Sequence, residues 1–365
     1  MKTWHVWDFP ETIYFSFNEN FRKEFFDSLF KKFGGIRPAG RFFGISQMAI
    51  KQYAWGYSVK NKMKHPQSIP ISFLKKSMSL LNGDINEKIE DNIILIKAKN
   101  RGTPVYNPKL PFQESPAFYR VVAHMIGDGS APGRKVPYYA NTCRELINQF
   151  RDDLNIFGEV RTYDGKLTVP IISFPKVITD ILSYILDVKF SYPDRIPKQI
   201  FNASEECKSA FLRALFDDEG CSSKGIVIGM KGDNLISELK KLLETIGIKI
   251  NNLFNSNGGM VSLSINSKSI ELFKDKVGFS HPSKIKNLNF AISRKYRKMR
   301  TRSIDELNGQ ILSVLKNKPC ATIEIANIIQ LTLGHTLRYL KLLEKENKVT
   351  RDGFKNRFLW SIVKV

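Results

Sequence analysis

The chain of 365 residues contains 57 Lys and Arg against 35 Asp and Glu, which gives a formal net charge of +22 and a pI near 9.7. A length of this size predicts two or three domains. So large a positive excess indicates a polyanionic partner and argues against an enzyme of small metabolites. The sequence has no run of 18 apolar residues and no apolar signal segment near its start, so a membrane role is disfavoured and a cytoplasmic protein is expected.

The cysteines and histidines lack the spacing of a zinc site. The four cysteines are far apart and none lies in a C-x-x-C pair. The five histidines form no HExxH pattern. We therefore expect reduced, mostly buried thiols rather than zinc ligands or a disulfide framework.

Residues 1–83 predict a helical domain. Apolar residues recur at helical spacing from Phe21 to Phe30, and the pattern stops at the glycine pair Gly34-Gly35. Residues 84–111 are predicted to be a connector, with a short buried strand at Ile93–Ile96 followed by a loop rich in Pro and Gly. The core domain is expected to follow this loop.

The second part of the helical domain resembles a helix-turn-helix. A short helix is followed by a turn at Gly44, and Ser46 has the position of an N-cap for the next helix. That helix would present Gln47 and Lys51 to base edges or phosphates. An ordinary helical hairpin would have the same pattern, so both interpretations stay open.

Two nine-residue runs in the core share one pattern. The run from Val121 to Gly129 is VVAHMIGDG, and the run from Leu212 to Gly220 is LRALFDDEG. Each is apolar and ends in an acid followed at once by glycine, and the two acids, Asp128 and Glu219, lie 91 residues apart. A duplication that supplies one carboxylate per copy suggests a site shared between two half-domains. Two carboxylates brought together are a binding site for a divalent metal ion.

The residues around each acid predict two closely packed helices. Ala123 and Gly127 share one face of the first helix, and Ala214 lies on the corresponding face of the second. Gly129 and Gly220 suit the left-handed position just past a helix C-terminus. Carboxylates at the negative ends of two adjacent helices repel each other, so a cation is expected to hold the pair.

The patterns that follow the two runs predict the same order of strands and helices. The predicted strands are 135–141, 167–174, 225–230 and 260–265, and the predicted helices are 143–154, 177–186, 233–246 and 269–277. Strands with one polar face suit an antiparallel sheet that is half exposed. The candidate residues on its exposed face are Lys135, Tyr138, Arg161, Lys166, Lys224 and Lys231.

Both runs resemble the motif of the LAGLIDADG homing endonucleases, with the acid in the eighth position and glycine in the ninth. The resemblance covers roughly residues 112–290. It implies an α+β fold in which two αββαββα halves pack through their motif helices and form a saddle-shaped sheet over DNA. We therefore expect a duplicated core at 112–283, with halves at about 112–198 and 199–283, that acts as a monomer with pseudo-two-fold symmetry.

The resemblance implies cleavage of double-stranded DNA with Mg²⁺ or Mn²⁺ as the cofactor. Asp128 and Glu219 would hold metal ions that activate water and stabilise the leaving 3′ oxygen. Further candidate site groups are the main-chain carbonyls of Gly127 and Asp218 and the side chains of Lys176 and Lys268, which follow strands near where the family has a lysine beside the scissile phosphate. On general grounds, such lysines are more often solvated surface charges.

Two residues depart from the family's motif. Asp218 stands where the family prefers Ala or Gly, and His124 replaces an apolar residue in the first helix. Asp218 would either crowd the helix crossing or add a third carboxylate to the site. LAGLIDADG-like domains also occur in bacterial transcription regulators and in RNA-splicing maturases. An inactive DNA-binding regulator and an RNA-processing factor that binds structured RNA are therefore the alternatives to a nuclease.

Residues 284–302 are predicted to be a basic linker. The cluster comprises Lys284, Lys286, Arg294, Lys295, Arg297, Lys298, Arg300 and Arg302. Such a cluster contacts backbone phosphates and contributes affinity rather than sequence choice, and it is also compatible with a solvated linker.

Residues 303–365 resemble the winged helix-turn-helix of bacterial and archaeal regulators. Helices are predicted over 304–315, 319–329 and 333–343, followed by a β-hairpin that turns at Asp352-Gly353. The residues that this resemblance would present to DNA are Thr332, His335, Thr336 and Arg338 on the last helix and Lys355, Asn356 and Arg357 on the wing. A winged helix that mediates protein contacts is the alternative.

Overall fold

The computed structural model describes residues 2–56, 67–81, 83–99, 102–133, 135–166, 168–223, 225–256, 259–296, 303–353 and 358–363. The chain divides into two compact units, Met1–Ile285 and Lys286–Val365. Within the described ranges, no helix combines the length and the apolar character that a bilayer-spanning segment needs.

The N-terminal part of the first unit mixes strands with helices. Its elements are β1 (Thr3–Trp4), β2 (Ile13–Phe17), α1 (Glu19–Phe33), α2 (Ile36–Phe43), α3 (Gln47–Trp55), β3 (Ile69–Pro70), α4 (Ile71–Met78), α5 (Gly83–Lys88), β4 (Ile93–Ala98), β5 (Val105–Tyr106) and β6 (Phe112–Gln113). The prediction of a helical domain over 1–83 needs correction, because strands β1, β2 and β3 lie among its helices. Strand β2 is almost completely buried, so it lacks the polar alternation by which a strand is recognised.

The prediction of a connector over 84–111 was also wrong. The predicted strand at Ile93–Ile96 is confirmed as part of β4, but β4 lies inside an antiparallel sheet with the order β3-β2-β4-β5-β9. Strand β9 (Glu159–Val160) comes from the region predicted to be the first core half. The N-terminal region and the core therefore share a sheet, and no separate linking segment is left between them.

The predicted turn between α2 and α3 is confirmed. Helix α2 ends at Gly44, whose φ of 67° lies in the left-handed region that glycine adopts without strain. The Ser46 side chain accepts a hydrogen bond of 3.1 Å from the backbone N–H of Ala49 and so caps α3. Stacking of Phe43 on Phe73, with ring centroids 4.2 Å apart, holds the hairpin against α4.

The rest of the first unit repeats one order of elements. Those elements are α6 (Pro116–Ile126), β7 (Gly129–Ser130), β8 (Tyr138–Ala140), α7 (Arg144–Leu154), β9, β10 (Tyr163–Lys166), β11 (Pro170–Ser173), α8 (Lys176–Leu186), α9 (Lys198–Asn202), α10 (Glu205–Glu219), β12 (Gly220–Cys221), β13 (Val227–Lys231), α11 (Asp233–Thr245), β14 (Phe254–Ser256), β15 (Met260–Ser264) and α12 (Ile270–Lys276). The two four-stranded antiparallel sheets have the orders β10-β11-β8-β7 and β14-β15-β13-β12. Helix, two strands, helix, two strands and helix thus occur twice with the same pairing, and the first copy contains the additional strand β9, which pairs with β5.

The two motif runs form helices that pack side by side. Ser115 caps α6 and Ser204 caps α10, each through its side-chain oxygen. All six residues from Val121 to Ile126 are buried, and α10 covers much of this surface. A β-carbon placed on Gly127 would lie 2.8 Å from the Cβ of Asp218. The C-terminal ends of both helices therefore lie next to each other.

The C-terminal region is helical and ends in a small sheet. Its elements are α13 (Pro282–Tyr296), α14 (Ile304–Asn317), β16 (Cys320–Ala321), α15 (Thr322–Ile329), α16 (Leu333–Lys345), β17 (Val349–Asp352) and β18 (Leu359–Ile362). The sheet order is β16-β18-β17, and its core includes Ile311, Leu340, Leu343 and Trp360. The predicted linker over 284–302 was wrong as far as Tyr296, because α13 extends that far and its Leu288 is buried.

Candidate active site

The two motif acids lie at the ends of the paired helices. Asp128 follows α6 by one residue, and Glu219 is the last residue of α10. Burial and the nearby Asp218 carboxylate raise the pKa of Asp128 to about 6. Burial, followed by the charges of Asp128 and Asp218, raises the pKa of Glu219 to about 7. The carboxylates are thus close enough to repel each other, as the duplicated motif predicts.

The glycines that follow the acids do not adopt the predicted left-handed conformation. Gly220 is extended, with φ −79° and ψ 148°, and Gly129 also lacks a positive φ. A β-carbon on Gly129 would lie 2.4 Å from the Cα of Met125, and one on Gly220 would lie 2.4 Å from the Phe216 carbonyl oxygen. Glycine is required because the chain turns from helix into strand directly against the preceding helical turn.

The two departures from the motif are partners of each other. The Nδ1 atom of His124 lies 2.9 Å from Oδ2 of Asp218, and both side chains are completely buried between α6 and α10. Burial alone lowers the pKa of His124, but the Asp218 carboxylate and its hydrogen bond outweigh this effect and raise it. The Asp218 side chain lies at the helix crossing, and its charge also acts on Asp128 and Glu219, so both expectations for Asp218 stay open.

Tyr139 in strand β8 and Asn141, which directly follows this strand, connect Asp218 with Asp128. The hydroxyl of Tyr139 donates a hydrogen bond of 2.7 Å to Oδ1 of Asp218. The amide nitrogen of Asn141 donates to Oδ2 of Asp128 at 3.0 Å and also lies 3.3 Å from Oδ1 of Asp218. Because Cys143 N–H donates to Oδ1 of Asn141 at 2.9 Å, the amide orientation is fixed. Tyr139 and Asn141, two residues apart, extend from the same face of the strand.

The other side of the site is a short segment at the start of α13. The backbone N–H groups of Ser280 and His281 donate to the Asp217 carboxylate at 2.9 to 3.0 Å. The ammonium group of Lys284 donates to the carbonyl oxygen of Phe216 at 3.0 Å and to that of Asp217. Burial lowers the pKa of Lys284, whereas Asp217, Asp218 and Asp128 raise it, with a net decrease. Lys284 thus places a positive charge beside the acids and satisfies the last carbonyls of α10.

The structure does not bring the two predicted catalytic lysines into contact with the acids. Lys176 forms an ion pair with Asp180 on the first turns of α8. Lys268 is exposed in a turn before α12. The basic residue placed beside the acids is Lys284, which the sequence presented only as one member of a basic cluster.

Most predicted DNA-contacting residues that the structure describes are accessible. Gln47, Lys135, Lys231 and Arg338 are exposed, and Lys51 is partly exposed. Thr336 is a correction, because its side chain is completely buried in the core of the second unit. Arg294 and Lys295 lie in α13, whereas Arg297, Lys298, Arg300, Lys355 and Arg357 lie outside the described residues.

The donor groups at the site fit a hard divalent cation. Asp128 and Glu219 offer carboxylate oxygens, the ligands that Mg²⁺ prefers. Burial is the main cause of their raised pKa values, the neighbouring carboxylates add to it, and the charge of Lys284 opposes it. Among the described residues, no group of three or more His, Cys, Asp or Glu is arranged to hold a metal, and Asp218 already binds His124 and Tyr139. The acid pair is therefore the candidate ligand set, and the ligand role of the Gly127 and Asp218 carbonyls stays a prediction.

Comparison with known proteins identifies part of the core. Residues 206–278 match the family model of the LAGLIDADG-like domain, so the chain contains a domain of this kind. The match includes the second motif run, and the first run lies outside it.

Curated relatives share only a segment with this chain. A glutamine–fructose-6-phosphate aminotransferase of Methanocaldococcus jannaschii is 27% identical over 304 residues, which are 75% of this chain and 26% of that protein. A DNA polymerase of Thermococcus aggregans is 31% identical over 142 residues, which are 36% of this chain and 8% of that protein. The chain thus spans about a quarter or less of the length of these relatives.

The solved structures that match part of this chain include a homing endonuclease and a DUF199/WhiA protein. Mesophilic variants of the homing endonuclease I-DmoI are 15% identical, with 45% of this chain and 95% of that chain covered at a TM-score of 0.35. The complex of I-DmoI with DNA and Mn gives 16% identity, 46% and 99% coverage and a TM-score of 0.35. Full-length DUF199/WhiA from Thermatoga maritima is 14% identical, with 65% and 93% coverage and a TM-score of 0.34.

Proposed function

We propose that the protein is a divalent-metal-dependent endonuclease of the LAGLIDADG type that cuts double-stranded DNA. The observation that carries this proposal is the pair of half-buried, mutually repelling carboxylates, Asp128 and Glu219, at the adjacent ends of two packed helices. The LAGLIDADG-like domain at 206–278 and the net charge of +22 support it.

In this proposal, Asp128 and Glu219 hold the metal and the neighbouring groups set their geometry. Bound Mg²⁺ would supply Lewis-acid polarisation of the phosphate and lower the pKa of a bound water. Asn141 orients the Asp128 carboxylate through its hydrogen bond. Lys284 reduces the repulsion between the acids and fixes the end of α10 on which Glu219 lies. No base for the reaction is needed from Lys176 or Lys268, which lie elsewhere.

We propose that DNA is bound by the two sheets and by modules on either side of them. The two four-stranded sheets form the duplicated core and act together as one monomer with pseudo-two-fold symmetry, with exposed Lys135 and Lys231 near the phosphates. The hairpin α2–α3 belongs to a segment, residues 28–56, that contains five Lys or Arg and no acid. We propose that the elements from α14 to β18 act as a winged helix, in which exposed Arg338 on α16 would contact the duplex.

The names of the curated relatives give no further activity to this chain. An aminotransferase and a DNA polymerase catalyse unrelated reactions, and the chain spans only 26% and 8% of them.

The competing function is a LAGLIDADG-like regulator that binds DNA without cutting it. The observation that favours it is the lack of contact between the predicted phosphate-supporting lysines and the acids. A regulator would need the basic surfaces but not the acid pair.

Incubation of the purified chain with supercoiled plasmid and genomic DNA, with Mg²⁺ or Mn²⁺, separates the two functions. We expect a small number of discrete double-strand breaks from the wild type. Asp128→Asn and Glu219→Gln should abolish cleavage while DNA affinity stays within a few-fold. Normal cleavage by either variant would refute the assigned site, and binding without cleavage by the wild type would support the regulator. Preferential binding of structured RNA over duplex DNA at matched salt would instead indicate an RNA-processing factor.

A further inference from the structure

A chain of buried polar contacts runs from one motif helix to the other and back to the first acid. His124 on α6 binds Asp218 on α10 at 2.9 Å, and Asp218 accepts the Tyr139 hydroxyl at 2.7 Å. Asn141 lies 3.1 Å from that hydroxyl and 3.0 Å from the Asp128 carboxylate. Each contact is within hydrogen-bond distance, so the chain is continuous.

This arrangement lowers the stability that a helix interface would otherwise provide. An ion pair with no exposure loses the hydration of both charges, and well-packed apolar residues at such positions are often as stable or more stable. In addition, the buried Nε2 atom of His124 has no hydrogen-bond partner within the described residues. The Asp218 side chain also fills the space that a β-carbon on Gly127 would need. Stability alone therefore does not account for the pair.

The geometry around the Asp128 carboxylate accounts for the His124–Asp218 pair. Asp128 follows the last turn of α6, where the chain is about to turn into strand β7, so its own backbone restrains its carboxylate little. Asn141 is the side chain that binds this carboxylate, and Asp218 and Tyr139 surround the Asn141 amide. His124 in turn restricts Asp218 to one position from the opposite helix.

We propose that His124, Asp218 and Tyr139 are positioning residues that fix the orientation of the Asp128 carboxylate through Asn141. The proposal rests on the function proposed above, because it assigns these residues to the metal-binding geometry of the same site. Asp218 then acts through its neighbours and is not itself a side-chain metal ligand. Partners that orient a metal ligand commonly change metal affinity or activity by 10- to 100-fold when they are removed.

The sharpest test compares two tyrosines. Tyr139→Phe removes the hydroxyl that binds Asp218 and keeps the ring. Tyr119→Phe is the matched control, since Tyr119 is equally buried and donates a hydrogen bond of 2.7 Å to the carboxylate of Glu114. Both variants lose one buried hydroxyl–carboxylate bond, so their thermal stability should fall by similar amounts. We expect Tyr139→Phe alone to weaken Mn²⁺ binding, measured by calorimetry on the full chain, by about 10-fold.

A second pair of variants separates positioning from packing. The single change Asp218→Ala leaves His124 buried without its partner, so it should destabilise the protein strongly. Adding His124→Leu removes the remaining buried charge and should restore most of the thermal stability. Because Tyr139 still lacks its carboxylate acceptor and Asn141 has lost its contact with Asp218, the double variant should keep its DNA affinity but bind Mn²⁺ about 10-fold more weakly and cut with a lower kcat.

The outcomes distinguish this proposal from the proposed function. If Mn²⁺ affinity and kcat recover together with stability in the double variant, or if Tyr139→Phe behaves like Tyr119→Phe, the positioning role is refuted. If the wild type cuts no DNA but its Mn²⁺ affinity depends on Tyr139, the nuclease is refuted and the positioning role stands. A wild type that binds no divalent metal would refute both.

Discussion

Gly127 shows how closely the two motif helices approach. The nearest atoms to a β-carbon at this position are the Cβ and Oδ2 of Asp218, at 2.8 and 2.9 Å. Gly127→Ala should therefore destabilise the protein by about 1–3 kcal/mol, because either the helix crossing or the Asp218 side chain must move. Denaturant unfolding measures this change. Gly83→Ala is the control, since nothing lies within 4 Å of its β-carbon and its φ is not left-handed. Equal stability of the two variants would contradict the tight crossing.

The pKa values of the two acids make metal binding depend on pH. Protonated Asp128 and Glu219 do not bind a cation, and their pKa values of about 6 and about 7 mean that both lose their protons near neutrality. We expect Mg²⁺ or Mn²⁺ affinity to rise steeply as the pH is raised from below 6 to above 7. Calorimetric titration at several pH values measures this dependence. The Asp128→Asn, Glu219→Gln double variant should show weak binding that does not change with pH.

In the metal-free protein, Asp128 and Glu219 should make the free energy of unfolding decrease as the pH rises. Because their folded pKa values are raised, the folded state binds more protons than the unfolded chain between the ordinary and the raised values. Their contribution to the free energy of unfolding is thus most favourable at low pH and decreases as the pH rises toward 7. A cation at the site should counteract this loss.

Sequence reasoning found the acids but not the residues that hold them. Asp128 and Glu219 could be predicted because each copy of the motif ends in its acid. His124 and Asp218 were visible as departures, and their opposite charges were a signal. Their pairing was not predictable, since they lie 94 residues apart and the sequence does not fix which residues meet at a helix crossing. Lys284 carried no signal at all, because one lysine in a basic cluster looks like any other.

At the scale of the elements, α16 contains two neighbouring residues with opposite environments. Thr336 is completely buried and its hydroxyl has no partner among the described residues, whereas Arg338 is exposed. Thr336→Val should keep or increase stability, by up to about 1–2 kcal/mol, because it removes a buried hydroxyl without a hydrogen bond. Arg338→Ala should leave stability unchanged and weaken duplex binding. Thermal unfolding and a binding titration of both variants check this pair. Weaker DNA binding by Thr336→Val at unchanged stability would contradict the burial.

Helix ends were easier to predict than short strands. Ser46 caps its helix as predicted, because a cap bonds a backbone group only three residues away, and Thr332 caps α16 in the same way. Strands such as β10 and β14 have four and three residues, too few to show a period, and they exist through pairing with β11 and β15.

For the whole molecule, the net charge of +22 should make DNA affinity depend strongly on salt concentration. Each phosphate that a basic side chain neutralises releases a counterion, so about six contacts give a slope near −5 for log K against log[salt]. We expect a slope of at least this size for duplex DNA, measured by fluorescence anisotropy over a range of KCl concentrations. Lys231→Ala should reduce the slope by about one, whereas Thr336→Val should not change it. A slope near zero would exclude nucleic acid as the main partner.

The pairing of β1 with β6 has a consequence for folding during synthesis on the ribosome. Thr3 and Trp4 lie opposite Gln113 and Phe112, so the first strand has no partner until more than a hundred further residues have been made. At about 5–20 residues per second, that delay is on the order of ten seconds. During this interval Trp4, which ends up buried and stacked on Phe118, is open to chaperones and to other nascent chains. Thr3 and Trp4 thus reach their final positions only after the first motif helix has emerged.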